Sequence, residues 1–138
     1  MTGAFNTTGE AIVNGARLYM KQHGDRVAGK KIELVVKDDA TQPEVAKRMA
    51  QQLIVREKVA IIGGGITPSS LAIAPLTAEA KIATVVMLSG ASITVERSPY
   101  MVRTGFTLGQ SSAVIADWVV RNGGKEDRHH RQRLGAGP

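Results

Sequence analysis

The chain has 138 residues, no cysteine, and eighteen Lys and Arg against twelve Asp and Glu, a formal net charge of +6. That length allows one domain with enough chain to bury a core, and a composition 43% apolar and 22% charged belongs to a folded domain rather than a disordered chain. Without cysteine, a disulfide scaffold, a zinc ribbon, a thiol nucleophile and an iron–sulfur centre are all excluded.

The longest apolar runs, such as IATVVML at 82–88, fall short of the roughly 20 residues a bilayer core requires, so no membrane span is expected. The opening stretch, MTGAFNTTGEAIVNG, has neither a basic segment nor a continuous apolar one. No secretion signal is read there, and the chain as written is expected to stay in the cytoplasm. Residues 125–138, KEDRHHRQRLGAGP, carry four basic groups, two acids and two of the three histidines. Basic tails can contact phosphates. This one contains no aromatic residue for base stacking, so a solvated, disordered tail is the better reading and no nucleic-acid partner is expected.

Taken in chain order, Thr7 and Glu10 have capping-box spacing ahead of Ile12, Ala16 and Tyr19, which predicts a helix over 10–23. KIELVVKD at 31–38 alternates apolar and polar residues and predicts a strand. Thr41 and Glu44 repeat the capping-box spacing with Pro43 in the first turn; Val45, Met49, Leu53 and Ile54 then mark the apolar stripe of a second helix ending near Glu57. VAIIG at 59–63 is short and wholly apolar, like a strand covered on both faces of a parallel sheet. GGGITPSS at 63–70 leads into a third helix with Thr67 as its cap and Pro68 at its first position, kinked at Pro75. ATVVML at 83–88 is another strand, SGAS at 89–92 a loop, and residues 102–104 a short extended piece. Residues 110–122 are expected to form a last helix with Val114, Ile115, Trp118 and Val119 facing inward, closed by Gly123 and Gly124. Helix and strand alternate throughout, the pattern of an α/β protein with a parallel sheet. No strand precedes the first helix, and none is legible after the last.

In open α/β sheets, ligands sit beyond the carboxyl ends of the strands. Three stretches fall there: MTGAFNTTG, GGGITPSS and SGAS. The second combines glycines, which permit close backbone approach, with a helix start that offers free N–H groups and partial positive charge; Thr67 and Ser69 add hydroxyls. Such a place suits a carboxylate or a phosphate. It matches neither nucleotide-binding glycine pattern, and a cap on an ordinary turn explains the same residues. No catalytic constellation emerges. Asp38 and Asp39 are read as a loop ahead of a capped helix rather than a metal or acid–base pair. His23 is read as a solvent-facing helix end, His129 and His130 as tail residues without further ligands, and Met20, Met49 and Met87 as core. No cofactor and no metal are expected.

With these loops placed, the sequence resembles the type 1 periplasmic substrate-binding proteins, the branched-chain amino acid (Leu/Ile/Val) receptors of ABC importers. MTGAFNTTG, GARLYMKQHGDRVAGKKIELVVKDDATQPEVAKRMAQQLI, VAIIGGGITPSSLAIAPLTAEAKIATVVMLSGAS and SPYMVRTGFTLGQSSAVIADWV follow one another in that family's order over residues 1–124. The resemblance implies a Rossmann-like parallel-sheet lobe, one of two that close on a small amino-acid-like ligand, with an ABC permease as the partner of the full-length, periplasmic protein. It implies that Thr67 and Ser69 hold the ligand carboxylate, that Gly90, Ala91 and Ser92 receive carboxylate and ammonium, and that Thr8 touches the ligand side chain. The family's first strand and second lobe have no counterpart in this sequence, so self-association through an exposed sheet edge is expected. The tail departs too. One back-translation of residues 125–137 with a single G removed reads KKIVTIVSDLGPG, the apolar strand the family places there, which points to a shifted frame. The reading from another class is a small Rossmann-like enzyme that cradles phosphate or a nucleotide in GGGITPSS.

Overall fold

The computed structural model describes residues 2–122, and the chain divides into two compact units, Met1–Thr107 and Leu108–Pro138. The first unit carries the sheet. Helix α1 spans Asn6–His23, strands β1 (Arg26–Val27) and β2 (Lys30–Lys31) form a small hairpin, and α2 spans Pro43–Val55. Strand β3 (Ile61–Ile66), helix α3 (Thr67–Glu79) and strand β4 (Ala83–Leu88) follow, then a 3-10 helix over Ser92–Arg97 and strand β5 (Met101–Arg103). Strands β3, β4 and β5 lie in that order, all parallel, with Ile62 opposite Thr84 and Val85 opposite Val102. Helix α3 makes the crossover that parallel neighbours require. The second unit contributes α4 (Leu108–Arg121), in which Arg121 pairs with Asp117 at 3.0 Å and Val114, Ile115, Trp118 and Val119, expected inward, are exposed. The tail expected over 125–138 lies outside the described residues.

The core of the first unit gathers Ala46 and Ala50 of α2, Ile62 of β3, Ile73 and Ala74 of α3, Val86 of β4 and Met101 of β5. It is thin. As many buried residues are polar as apolar, and Val86 is the only bulky aliphatic side chain fully closed to solvent among the described residues. The stripe expected on α2 is present but shallower than its neighbours: Val45, Met49, Leu53 and Ile54 are half-buried, while the small Ala46 and Ala50 take the closest approach to α3. Met20, Met49 and Met87, expected in the core, are half-buried, and Met101 takes that role.

Three expectations are corrected by the backbone. The strand expected at 31–38 survives only as Lys30–Lys31; beyond the bond from Ile32 N–H to the Asp25 carbonyl at 2.7 Å, residues 32–38 join no ladder among the described residues. Alternation alone does not make a strand, because each backbone group needs a neighbour to bond. Both capping boxes fail as well. Helix α1 begins at Asn6, with Thr7 Oγ1 turned to the Asn6 side chain at 3.0 Å, and α2 begins at Pro43 with no side-chain cap. Finally, β3 runs over 61–66 rather than 59–63, so Gly64 and Gly65 belong to it rather than to a loop, and Thr67 is the first residue of α3, not its cap.

Candidate ligand-binding site

The carboxyl ends of β3 and β4 and the 38–41 turn are joined by a line of polar side chains. In that turn Ala40 and Thr41 both adopt positive φ, 49° and 63°, which costs on the order of 1–3 kcal/mol for each non-glycine residue. Two carboxylates hold it there. Asp38 accepts from the Ala40 N–H at 2.9 Å and from the Thr2 hydroxyl at 2.9 Å. Asp39 accepts from the Thr41 N–H at 3.0 Å. The Ala40 N–H, and after it the Thr2 hydroxyl, holds the exposed Asp38 carboxyl below the usual carboxylate range. Asp39 also reaches α3, where its second oxygen accepts from the Ser69 hydroxyl at 2.7 Å.

Strand β3 ends in Gly64 and Gly65, and Gly65 sits at φ +80° with the Ser70 hydroxyl packed beneath it; an added Cβ would lie 2.6 Å from that oxygen. Glycine is therefore required where the strand meets α3. The α3 start presents N–H groups that have no partner within the helix, with the helix dipole behind them.

A second line runs through three hydroxyls. Thr67 Oγ1 lies 2.8 Å from Ser89 Oγ, which lies 2.6 Å from Thr94 Oγ1. Thr94 is wholly buried, and among the described residues Ser89 is the one partner of its hydroxyl. If Thr94 accepted, its own proton would be left buried without an acceptor, at about 1–3 kcal/mol. Thr94 therefore donates to Ser89, Ser89 donates to Thr67, and the Thr67 proton is left to point away from a half-buried position. Thr67 is a donor, suited to an oxygen anion.

The loop after β4 is held from below by Arg103 of β5, whose Nη2 donates to the carbonyls of Ala91 at 2.7 Å and Ser92 at 3.0 Å.

The structure thus brings Thr67, Ser69 and residues 90–92 to one end of the sheet. Their roles divide, however. Ser69 is buried and gives its proton to Asp39, so its hydroxyl is not free to donate to a carboxylate, whereas Gly90 is half-buried and Ser92 exposed. Thr8 lies exposed on α1 and takes no part in either hydrogen-bonded line. His23 stands at the exposed end of α1, stacked on Tyr19 with ring centroids 4.2 Å apart. The residues that sequence reasoning passed over are Asp39, Ser89, Thr94 and Arg103. Asp39 stood beside the right strand end and was read only as a loop residue, and Ser89 opened the SGAS stretch without a role of its own; Thr94 and Arg103 gave no signal, because their partners are 5 and 12 positions away.

A three-stranded parallel sheet with a helix start, a glycine strand end and hydroxyls beyond its carboxyl edge is the architecture of an open α/β lobe, the class in which ligands sit beyond the carboxyl ends of the strands. The chain belongs to the periplasmic binding protein family, whose model matches residues 1–128. It is 35% identical over 127 residues to a Leu/Ile/Val-binding protein homolog of Brucella abortus, covering 91% of this chain and 33% of that protein. Among solved structures it is similar to a solute-binding protein of an ABC transporter from Rhodopseudomonas palustris in complex with 3,4-dihydroxybenzoic acid, at 57% identity and a TM-score of 0.87, covering 89% of this chain and 34% of that one. A leucine-binding protein of Thermotoga maritima superposes with a TM-score of 0.82 at 28% identity, over 90% of this chain and 35% of that one. The chain spans about a third of the length of these relatives. No helix among the described residues is long and apolar enough to cross a membrane.

Proposed function

We propose that residues 1–124 form the amino-terminal ligand-binding lobe of a substrate-binding protein serving an ABC importer, and that its ligand is a small carboxylate of the benzoate kind. The observation that carries this is the Thr67 donor beside the α3 start, at the carboxyl end of a parallel sheet. An oxygen anion placed there meets a hydroxyl proton, free N–H groups and the positive end of a helix. The aromatic ligand is favoured by the 57% identity to the relative solved with 3,4-dihydroxybenzoic acid, and a further relative at 38% was solved with 4-hydroxybenzoate. The branched-chain amino acid reading rests on the 35% identical Leu/Ile/Val-binding homolog. In either reading the protein works by binding and delivery rather than catalysis, in the periplasm, with an ABC permease as its partner and residues 125–138 outside the lobe.

One lobe alone leaves a bound carboxylate in contact with water. Two or three solvent-exposed hydrogen bonds at about 0.5–1.5 kcal/mol each give millimolar affinity at best. Titration of the 138-residue chain with benzoate, followed by amide NMR, is expected to shift Thr67 and Gly90–Ser92 only at millimolar concentration. Shifts confined to other regions, or a phosphate-dependent thermal shift in place of a benzoate response, would refute the proposal and favour a phosphate-cradling enzyme.

A further inference from the structure

The loop expected to receive both ends of an amino acid has two of its carbonyls turned to a cation. Both hydrogens of Arg103 Nη2 are taken by the Ala91 and Ser92 carbonyls, at 2.7 and 3.0 Å. An ammonium group bound at this loop would share these acceptors with a group that already carries positive charge. The other terminal nitrogen, Nη1, is buried without any hydrogen-bond partner, and no carboxylate among the described residues pairs with the guanidinium. Guanidinium stays protonated at any physiological pH, so a full positive charge stands against the loop. The two acids within the site's polar lines are engaged elsewhere, Asp38 by the Thr2 hydroxyl and the Ala40 N–H and Asp39 by Ser69 and the Thr41 N–H.

Resting on the proposal that this face binds a small carboxylate, we propose that Arg103 is its specificity-determining residue: by holding the Ala91 and Ser92 carbonyls with a fixed cation, it excludes an α-ammonium group and selects carboxylates whose body is uncharged. Two like charges about 5 Å apart at an effective dielectric near 20 disfavour binding by about two orders of magnitude, and about one order survives at a water-exposed edge. The carboxylate end is favoured by the same charge, and an anion is what a buried guanidinium with unfilled donors attracts.

The test compares ligands that differ only in the ammonium: 4-methylpentanoate against leucine, and 3-phenylpropionate against phenylalanine. Each is titrated into the 138-residue chain to tens of millimolar, and the amides of Gly90–Ser92 are followed by NMR. The desamino acids are expected to bind about tenfold or more tightly than their amino acids. Arg103→Met should bring each pair within about threefold, whereas Arg103→Lys, which keeps the charge, should retain the preference even if Arg103→Met fails to fold. Equal binding of the pairs by the unaltered chain, a preference that survives in Arg103→Met, or one that is lost in Arg103→Lys overturns the role of Arg103 and leaves the ligand face standing. No loop shift with any of the four overturns the ligand face itself, and the role of Arg103 with it.

Discussion

Replacing Gly65 by alanine tests the joint between β3 and α3, on which the candidate site depends. At φ +80° an L-residue pays about 1–2 kcal/mol for the left-handed backbone. Its Cβ would also stand 2.6 Å from Ser70 Oγ, and Ser70 is wholly buried, so that hydroxyl has no open space to swing into. Overpacking of this kind adds about 1–3 kcal/mol. A destabilisation near 3 kcal/mol is expected from urea unfolding, and for a unit of this size that lowers the melting temperature by roughly 12–20 °C. The two contributions can be separated. Ser70 Oγ is buried without a partner, so Ser70→Ala alone should be neutral or mildly stabilising. In that background Gly65→Ala should cost only the backbone share of about 1–2 kcal/mol, leaving a coupling near 1 kcal/mol or more. A Gly65→Ala cost below about 0.5 kcal/mol, or one unchanged by removing the Ser70 hydroxyl, would refute the reasoning.

Other expectations follow from the same geometry. Ala28 takes φ 49° in the two-residue turn between β1 and β2, followed by Gly29 at 79°, so Ala28→Asn should raise stability by about 0.5 kcal/mol in the same unfolding assay. Ser89→Ala removes both bonds of the hydroxyl line and orphans the buried Thr94, and should cost about 1–3 kcal/mol more than Thr94→Val, which removes the terminal group and leaves Ser89 paired with Thr67. Asp38, with its carboxyl held below the ordinary range, binds its proton less readily folded than unfolded; its contribution is full above the unfolded value and disappears as pH falls through the lower, folded one. Melting curves between about pH 5 and pH 2 should therefore fall less steeply for Asp38→Asn than for the unaltered chain. Strand β3 is an outer strand of its sheet, and Leu34, Val35 and Val36 stay substantially exposed. Sedimentation velocity should show concentration-dependent self-association, and a strictly monomeric boundary at high concentration would count against that edge being available.

Much of this architecture is set by local chemistry, and so was legible in the sequence. The β4 boundaries at Ala83 and Leu88 agree with its apolar run; α2 and α4 fall near where apolar spacing places them and α1 starts four residues earlier than expected, while α3 was marked by Pro68 in its first turn rather than by periodicity. The resemblance of successive loops, read together, pointed to Thr67, Ser69 and residues 90–92, which the fold brings to one end of the sheet. Other features depended on distant partners. Residues 32–38 have the pattern of a strand, yet whether they form one depends on a neighbouring backbone that periodicity cannot supply. Gly64 and Gly65 suggested a loop, but β4 lends this stretch a ladder, with Gly64 opposite Val86 and Ile66 opposite Leu88. The chemistry of the site followed the same rule. Sequence gave Ser69 and Thr67 the same role, and only the tertiary structure separated them: Asp39, 30 positions away, takes the proton of Ser69, while Ser89 and Thr94 leave the proton of Thr67 free. A hydroxyl donates or accepts according to what lies beside it, and what lies beside it is decided by the fold.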